Sequence, residues 1–464
     1  MRTEPITLVD DEARRRKLKR TIRDANSLNQ RVQALDEIDW DFKDWQTQYL
    51  SHKFHSYPAR FIPQIPMTFI KLFTKKQQTI LDPFCGCGTT LVESYLNKRN
   101  SVGVDMNPLA VLISKVKTSP LSDAETRFAK SRMASLDDCP KETESIEEVL
   151  GNLPNRKLSK IFTVSSVGSL NSIKGIAVSS EEEGQEKVSN LFKCALSSTI
   201  WSLVEGKATT DPLLIFNSKV EAMLSALKKM RAMVNEPPIV EVVHDDARVL
   251  DIDSSTIDHI VTSPPYVNAM DYYRIHMYNM HWLGMDILNF KKHEIGGHSH
   301  FIANRFRLLS EYLGDMLRSL MEMNRVLSVG GICAIVVSNS SVEYELIESH
   351  KFFSSMARKI GFKTERTLFR SIDTTRKYTS AIIGNIDDEY ILVLRKMKDH
   401  DSLSSNDDFV AEIVNEEMTE FAKRVSTIQG TSLGWRRPTI ERLNENPEKV
   451  RQAIDTIPKD IRIK

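Results

Sequence analysis

Apolar positions along the chain change period several times, and each change predicts an element. KFHSYPARFIPQIPMTFIKLF, residues 53–73, opens with prolines and ends in an amphipathic helix from about Ile65 to Phe73. Thr79 to Leu81 then reads as a compact strand that Asp82-Pro83 terminates. Gly86 and Gly88 make a tight turn, and Thr89-Thr90 open a helix to about Asn97. A second strand covers 101–104, with Asp105 at its tip. Strand, glycine turn, helix, strand and terminal acid predict half of a doubly wound α/β sheet.

From 119 to about 237 the strand signal lapses. Helical periods remain, most clearly at 185–205 and 217–234, with Ser179 to Gly184 reading as a solvated loop between helices. Strands resume with PIVEVVHDDARVLD and again at Ile257–Thr262. A helix at about 308–327 leads through Gly330-Gly331 into the apolar strand ICAIVVSNS. Another helix, at about 346–360, precedes the strands FKTERTLFR and EYILVLRKM. The expected organisation is a helical extension at 1–50, an α/β domain from 51–118 and 238–398, a helical insertion at 119–237 and a C-terminal extension at 399–464. Asp401 to Asp408 reads as a linker inside that last part.

The strand 257–262 ends on Ser263-Pro264-Pro265-Tyr266. Two prolines fix φ and remove amide donors, so the ladder stops and a rigid corner forms. The Pro264 carbonyl and the Ser263 hydroxyl are then available as acceptors beside an aromatic face. Two acceptors and a ring suit a planar base with an exocyclic NH2 group. Residues 267–305, rich in Tyr, His, Met and Asn, form a connection long enough to be a functional loop.

Composition narrows the class. The 464 residues are 41% hydrophobic and 27% charged, ordinary for a globular protein with room for two or three domains. A net charge of +1 means that a nucleic-acid enzyme would need a local basic face. Arg14 to Arg20 is one such cluster, readable as a solvated helix face or a phosphate-backbone contact. No apolar run approaches a membrane span, and MRTEPITLVDDEARRRKLKR lacks an apolar signal core. Five cysteines without regular spacing fit reduced thiols and a cytoplasmic location, with no membrane partner. Cys85-x-Cys87 on a glycine turn without a second pair is not a zinc site, so no metal is expected.

DPFCGCGTT and SPPY together resemble the glycine motif and the catalytic motif of the S-adenosylmethionine-dependent amino-group DNA methyltransferases. The match covers 53–118 and 238–396. It implies a Rossmann-like class I methyltransferase fold, α/β with a mostly parallel sheet, here carrying a helical insertion. The Ser form of the catalytic motif is typical of enzymes that modify cytosine N4, the Asp form of adenine N6 enzymes. The resemblance implies Ser263, Pro264, Pro265 and Tyr266 as catalytic residues. Tyr57, Asp82, Phe84, Gly86, Gly88, Thr89, Thr90, Asp105 and Asp246 would bind S-adenosylmethionine. Asp105 would take the ribose hydroxyls and Asp246 the adenine amino group, with Asp245 a rival. The segment with Tyr57 and Phe61 either closes over the cofactor or packs as core. Double-stranded DNA is the implied substrate, and a restriction endonuclease acting on the same site the implied partner. Adenine N6 in DNA, a guanine amino group in tRNA and a decayed binding module are the alternatives. Either the insertion or the 267–305 loop would read the DNA.

Overall fold

The computed structural model describes residues 8–138, 161–206, 211–268, 270–297, 303–372, 388–400, 407–425 and 444–460. Most of the predicted linker, residues 401–406, lies outside them. Seven strands build one sheet: β1 (Thr79–Asp82), β2 (Asn100–Asp105), β3 (Val240–His244), β4 (His259–Thr262), β5 (Ile332–Ser338), β8 (Phe362–Ser371) and β9 (Asp388–Lys396). A small hairpin, β6 (Ser340–Val342) with β7 (Glu345–Ile347), stands apart. The sheet order is β3-β2-β1-β4-β5-β9-β8. The first five positions are parallel, and β9 runs antiparallel to both β5 and β8. This is a Rossmann-like, mostly parallel α/β sheet. From β1 the chain steps outward through β2 to β3, then returns to lay β4 on the other side of β1. Such a reversal opens a crevice at the strands' C-terminal ends.

Both faces of the sheet are covered, which is why β5 is buried at every position and apolar from Ile332 to Val337. Ile80, Val261, Ala334 and Val336 pack on one face against α3 (Gln64–Phe73) and the N-terminal α1 (Leu8–Asp24) and α2 (Leu28–Ala34). Leu81, Ile260, Cys333 and Ile335 point the other way. They meet α13 (Phe306–Val326), α14 (Ser349–Lys359), α15 (Asp407–Val425) and α16 (Asn446–Asp460). The numbers between belong to α4 (Thr89–Leu96), α5 (Pro108–Thr118), α6 (Asp123–Ala134), α7 (Val164–Glu182), α8 (Glu186–Val204) and α9 (Pro212–Met233). They also cover three short helices in the segment after β4: α10 (Tyr272–Ile275), α11 (Met277–Trp282) and α12 (Ile287–His293).

Some elements differ from the sequence expectation, and others gain a packing role. Ser179 to Glu182 are helical, with buried Ser180 donating its hydroxyl to the Ile176 carbonyl; the turn is confined to Glu183 and Gly184, the latter at φ +73°. ICAIVVSNS ends β5 at Ser338, and residues 340–347 fold back as the hairpin, with Glu343 and Tyr344 both at positive φ as a tight hairpin turn demands. The described residues at 407–425 and 444–460 are not an appendage, since Val414, Phe421, Val450 and Ile457 complete the core on α13. The helical insertion, finally, joins Leu109, Ile113 and Val116 of α5 and Trp282 of α11 in one apolar cluster. On α1 the basic cluster is exposed around buried Leu18. Arg16 and Arg20 pair with Glu12 and Asp24, and the Arg15 guanidinium lies 5.4 Å from the Trp45 ring centroid.

Gly103 shows how closely α4 is pressed on β2. A Cβ there would come within 2.4 Å of Leu91 Cδ1 and 3.1 Å of Cys85 Cβ. Leu91 is fully buried and has nowhere to swing. Gly103→Val is therefore expected to lower stability by roughly 1–3 kcal/mol through overpacking, read from the midpoint of urea unfolding.

Candidate active site

The crevice at the sheet reversal takes its shape from two strand ends held side by side. Thr262 Oγ1 donates to Asp82 Oδ1 at 2.6 Å, joining the tip of β4 to the tip of β1. Asp82 is buried, and burial pushes its carboxyl up to about 7. Beyond these tips both chains run into proline, so neither strand continues. Thr90, also buried, ties α4 to the same place by donating to the Val261 carbonyl at 3.1 Å.

The turn after β1 wraps the tip of β2. Gly86 N–H donates to Asp105 Oδ2 at 2.7 Å, and Asn107 N–H donates to Asp105 Oδ1 at 2.8 Å. Burial raises the Asp105 carboxyl to about 6, against the pull of those two amides. Gly86 (φ +49°) and Gly88 (φ +78°) both use left-handed backbone, but for different reasons. At Gly86 a Cβ would meet the Tyr57 ring, 3.5 Å away across the crevice, and the Phe84 carbonyl at 4.0 Å. At Gly88 it would strike Ser114 of α5, with Oγ at 2.7 Å and Cα at 3.1 Å. Gly86 is thus bare toward the crevice, and Gly88 is bare so that α5 can approach.

A cleft of about 820 Å³, open solvent at its mouth included, lies above these tips. Of the residues singled out in the sequence, Tyr57, Phe84, Gly86, Thr89, Asp105, Asp246, Ser263 and Pro265 line it. Phe61 lines it too, yet its side chain packs with Ile65 and Phe69 in the core. Asp82, Gly88, Thr90, Pro264 and Tyr266 stand behind the lining. Of the adjacent acids, Asp246 faces the cleft and Asp245 does not. Asp246 is already engaged: Arg248 Nη2 donates to Oδ2 at 2.6 Å and Arg248 Nε to Oδ1 at 2.9 Å. Arg248 also reaches Asp315 Oδ1 at 2.9 Å, which fastens the loop after β3 to α13.

The Ser-Pro-Pro-Tyr corner is pinned from three sides. Ser263 Oγ donates to the Val336 carbonyl of β5 at 3.1 Å, and Tyr312 Oη donates to the Pro265 carbonyl at 2.9 Å. Tyr266 Oη donates to Glu389 Oε1 at 3.2 Å, and Glu389 is paired with Arg370. That buried carboxylate and desolvation hold the Tyr266 phenol well above its ordinary pKa, so it stays neutral. A carbonyl cannot donate, so the Ser263 proton points to Val336, and the Tyr266 hydroxyl is a second hydrogen-bond neighbour of Ser263. Among the described residues none donates to the Pro264 carbonyl. The corner thus presents acceptors.

The roof is aromatic. Tyr57 stacks on His276 (centroids 4.9 Å apart) and on Tyr272 (5.9 Å). His276 is buried, and desolvation lowers it to about 3, so it is neutral. Arg60, Tyr272, Phe290, His293, Glu294 and Ile295 also line the cleft. Sequence reasoning named none of these six individually. The unusual length and composition of the 267–305 connection was the one signal for five of them. Among the described residues no group of three or more His, Cys, Asp or Glu could hold a metal, and Cys85 and Cys87 are buried thiols of the turn.

The described residues of the insertion do not line this cleft but carry its roof. Ser197 of α8 accepts Asn279 Nδ2 at its carbonyl (2.6 Å) and its hydroxyl (2.8 Å), and Ser197 Oγ lies 2.9 Å from His55 Nε2. Phe162 packs on Tyr278 and Trp282.

A family model described as DNA methylase matches residues 2–116 and 257–453, well over half the chain. The chain belongs to the DNA methylase family. Among curated relatives, the Type II methyltransferase M.MvaI of Kocuria varians is 39% identical over 93 residues, 19% of this chain and 20% of that protein. M.BsoBI of Geobacillus stearothermophilus, also a Type II methyltransferase, is 23% identical over 308 residues, 59% of this chain and 60% of that protein. This methylase therefore spans less than two thirds of the length of either relative. Among solved structures, the rRNA methyltransferase aviRa of Streptomyces viridochromogenes aligns with a TM-score of 0.29 at 11% identity. That alignment covers 74% of this chain and 89% of that one. The family model skips 117–256, which contains the inserted helices and β3.

The two glycines of the methylase's turn are separable by experiment. Gly86→Ala is expected to fold, at a cost of about 1–2 kcal/mol for its positive φ, and to weaken S-adenosylmethionine binding in calorimetry. Gly88→Ala adds the collision with Ser114, so thermal unfolding should show the larger loss of stability for this variant.

Proposed function

We propose that the protein is a site-specific DNA methyltransferase that transfers the methyl group of S-adenosylmethionine to the N4 amino group of cytosine. One observation carries this reading. At the end of β4 the Ser263 hydroxyl spends its proton on Val336, and no described residue donates to the Pro264 carbonyl. Two acceptors at one strand end match the two protons of an exocyclic amino group. Accepting them draws the nitrogen lone pair out of conjugation with the ring and aims it into the cleft.

The residues fit the cofactor. Gly86 leaves a cradle that a Cβ would fill, opposite the Tyr57 ring. Asp105, with each oxygen holding one amide, keeps lone pairs for a vicinal diol. Asp246 Oδ1 already accepts the Arg248 N–H and Nε, so the adenine amino group falls to Oδ2, beside Arg248 Nη2. Asp82 and Thr90 act from behind, by holding β1, β4 and α4 in register. When bound, S-adenosylmethionine supplies an electrophilic methyl on a sulfonium. The chain's own contribution is alignment and electrostatics, with no covalent enzyme intermediate.

Tyr266, anchored through its hydroxyl on Glu389, offers a fixed ring for stacking on the base. The amino group is out of reach inside a duplex, so the target base is flipped out of the stack. The segment 267–305 supplies the DNA-side contacts, with Arg274 and Lys292 exposed on it, and the insertion acts as its scaffold. The relatives' Type II names support a role as the modification partner of a restriction endonuclease acting on the same site. The choice of cytosine rests on Ser263, since adenine presents the same NH2 group.

The test is incubation with methyl-labelled S-adenosylmethionine and mixed DNA, followed by nucleoside mass spectrometry. N4-methylcytosine is expected. N6-methyladenine alone would overturn the cytosine assignment, and label in tRNA but not DNA would overturn both substrate assignments. Ser263→Ala should leave cofactor affinity unchanged in calorimetry. It should lower single-turnover methylation about tenfold or more, the loss of one acceptor to the reacting nitrogen.

A further inference from the structure

The buried pair behind Tyr266 reaches further than the corner it supports. Arg370 of β8 and Glu389 of β9 stand directly opposite each other in the antiparallel register. The neighbouring pair on the same face is Leu368 and Ile391, apolar and buried in the cluster that holds Trp40. Apolar side chains of similar volume at 370 and 389 would generally serve that core as well, because a buried ion pair must first shed its water. What the ions add is direction.

Each member of the pair has two fixed contacts. Glu389 accepts the Tyr266 hydroxyl at Oε1, 3.2 Å away, and the Arg370 guanidinium at Oε2. Arg370 also donates from Nε to the Trp40 carbonyl at 3.1 Å. A guanidinium is a planar fork, so one bond at Nε and another at Nη1 fix its plane. Trp40 is held in turn. Its indole N–H donates to the Leu35 carbonyl at 3.0 Å, and its ring stacks on Phe69 with centroids 5.3 Å apart. Trp40, Tyr266, Arg370 and Glu389 are all buried. Two flanking contacts fasten the N-terminal extension along β8, the last strand of the sheet. Asp41 Oδ1 accepts the Ser371 N–H at 2.7 Å, and Asp36 Oδ1 accepts Arg366 Nε at 2.9 Å.

Directed contacts therefore run from the extension to the catalytic corner, in the order Trp40 carbonyl, Arg370, Glu389, Tyr266. A hydrogen bond at Oη fixes where the long axis of a tyrosine ring points and leaves the ring only rotation about that axis. We propose that Arg370 is a positioning residue of the methylation reaction: seated on the N-terminal extension, it orients Glu389 and through it aims the Tyr266 ring at the target base. This rests on reading Tyr266 as the residue that stacks on the base. The extension is then part of the base-holding apparatus and more than a cover for the sheet.

The test is single-turnover methylation of mixed DNA by the full chain with methyl-labelled S-adenosylmethionine, with cofactor affinity by calorimetry as the control. Arg370→Met removes the guanidinium. Arg370→Lys keeps a cation beside Glu389 but lacks the fork that spans Glu389 and the Trp40 carbonyl. Tyr266→Phe keeps the ring and removes its anchor. Each variant is expected to slow methyl transfer about fivefold or more, with cofactor affinity unchanged. In the Tyr266→Phe background either Arg370 change should add less than about twofold, because the contact it acts through is already gone. Tyr266→Phe or Arg370→Lys at the wild-type rate would overturn the proposal. So would a slowing by Arg370→Met that is undiminished in the Tyr266→Phe background, the result a purely structural role gives. If Arg370→Met fails to fold, Glu389→Gln decides. Its single amide oxygen can face Tyr266 or Arg370 but not both, so it should slow the reaction when Tyr266 is present and add nothing beside Tyr266→Phe. The wild-type rate for Glu389→Gln alone, or an equal slowing in both backgrounds, would overturn the proposal. Tyr266→Ala at the wild-type rate would overturn the base-stacking reading beneath it, and the proposal with it.

Discussion

The hydrogen bond from Thr262 to Asp82 is the contact on which the rest of the site depends. It locks two parallel strands at the point where the sheet reverses direction, and both strands run into proline immediately afterwards. The proposed cofactor side (Gly86, Asp105) and the proposed base side (Ser263, Pro264) are thereby fixed to one rigid edge. A transfer reaction between two bound groups needs that fixed separation more than it needs any reactive side chain. The buried acid at its centre, lifted to about 7, is retained because Thr262 and the Phe84 amide both donate to it.

Around this edge the molecule works as layers of support. Tyr312, Val336 and the Glu389–Arg370 pair hold the Ser-Pro-Pro-Tyr corner from α13, β5 and the antiparallel end of the sheet. Arg248 holds the loop after β3 to α13. The inserted helices hold the aromatic roof through the Ser197 junction with His55 and Asn279. The insertion is continuous in its packing with α5, so it braces the roof. Removing it would expose the core as well as release the loop.

Much of the site was legible in the sequence because its signals are local. Proline after a strand and glycine in a turn act through their own φ and through missing atoms, so DPFCGCGTT and SPPY announce themselves. What lay beyond the sequence came from long-range contacts. Nothing in the spacing reveals that Gly88 is bare for Ser114, 26 positions away, while Gly86 is bare for the cleft. Glu294 joins Asp105 in the cleft wall from almost 190 positions further along the chain. Composition misled at Ser179 to Glu182, where polar residues continue α7, and at the C-terminal end, where polar stretches hide apolar stripes that close the core.

The most direct test of this account is a crystal structure of the full chain with sinefungin, a stable analogue of the cofactor. The account predicts the ribose hydroxyls on Asp105, the amino acid portion beside the Gly86 turn, and the amine that replaces the sulfonium methyl facing Ser263 and Pro264. An analogue bound elsewhere, or one whose transferable end points away from the Ser263 corner, would contradict it.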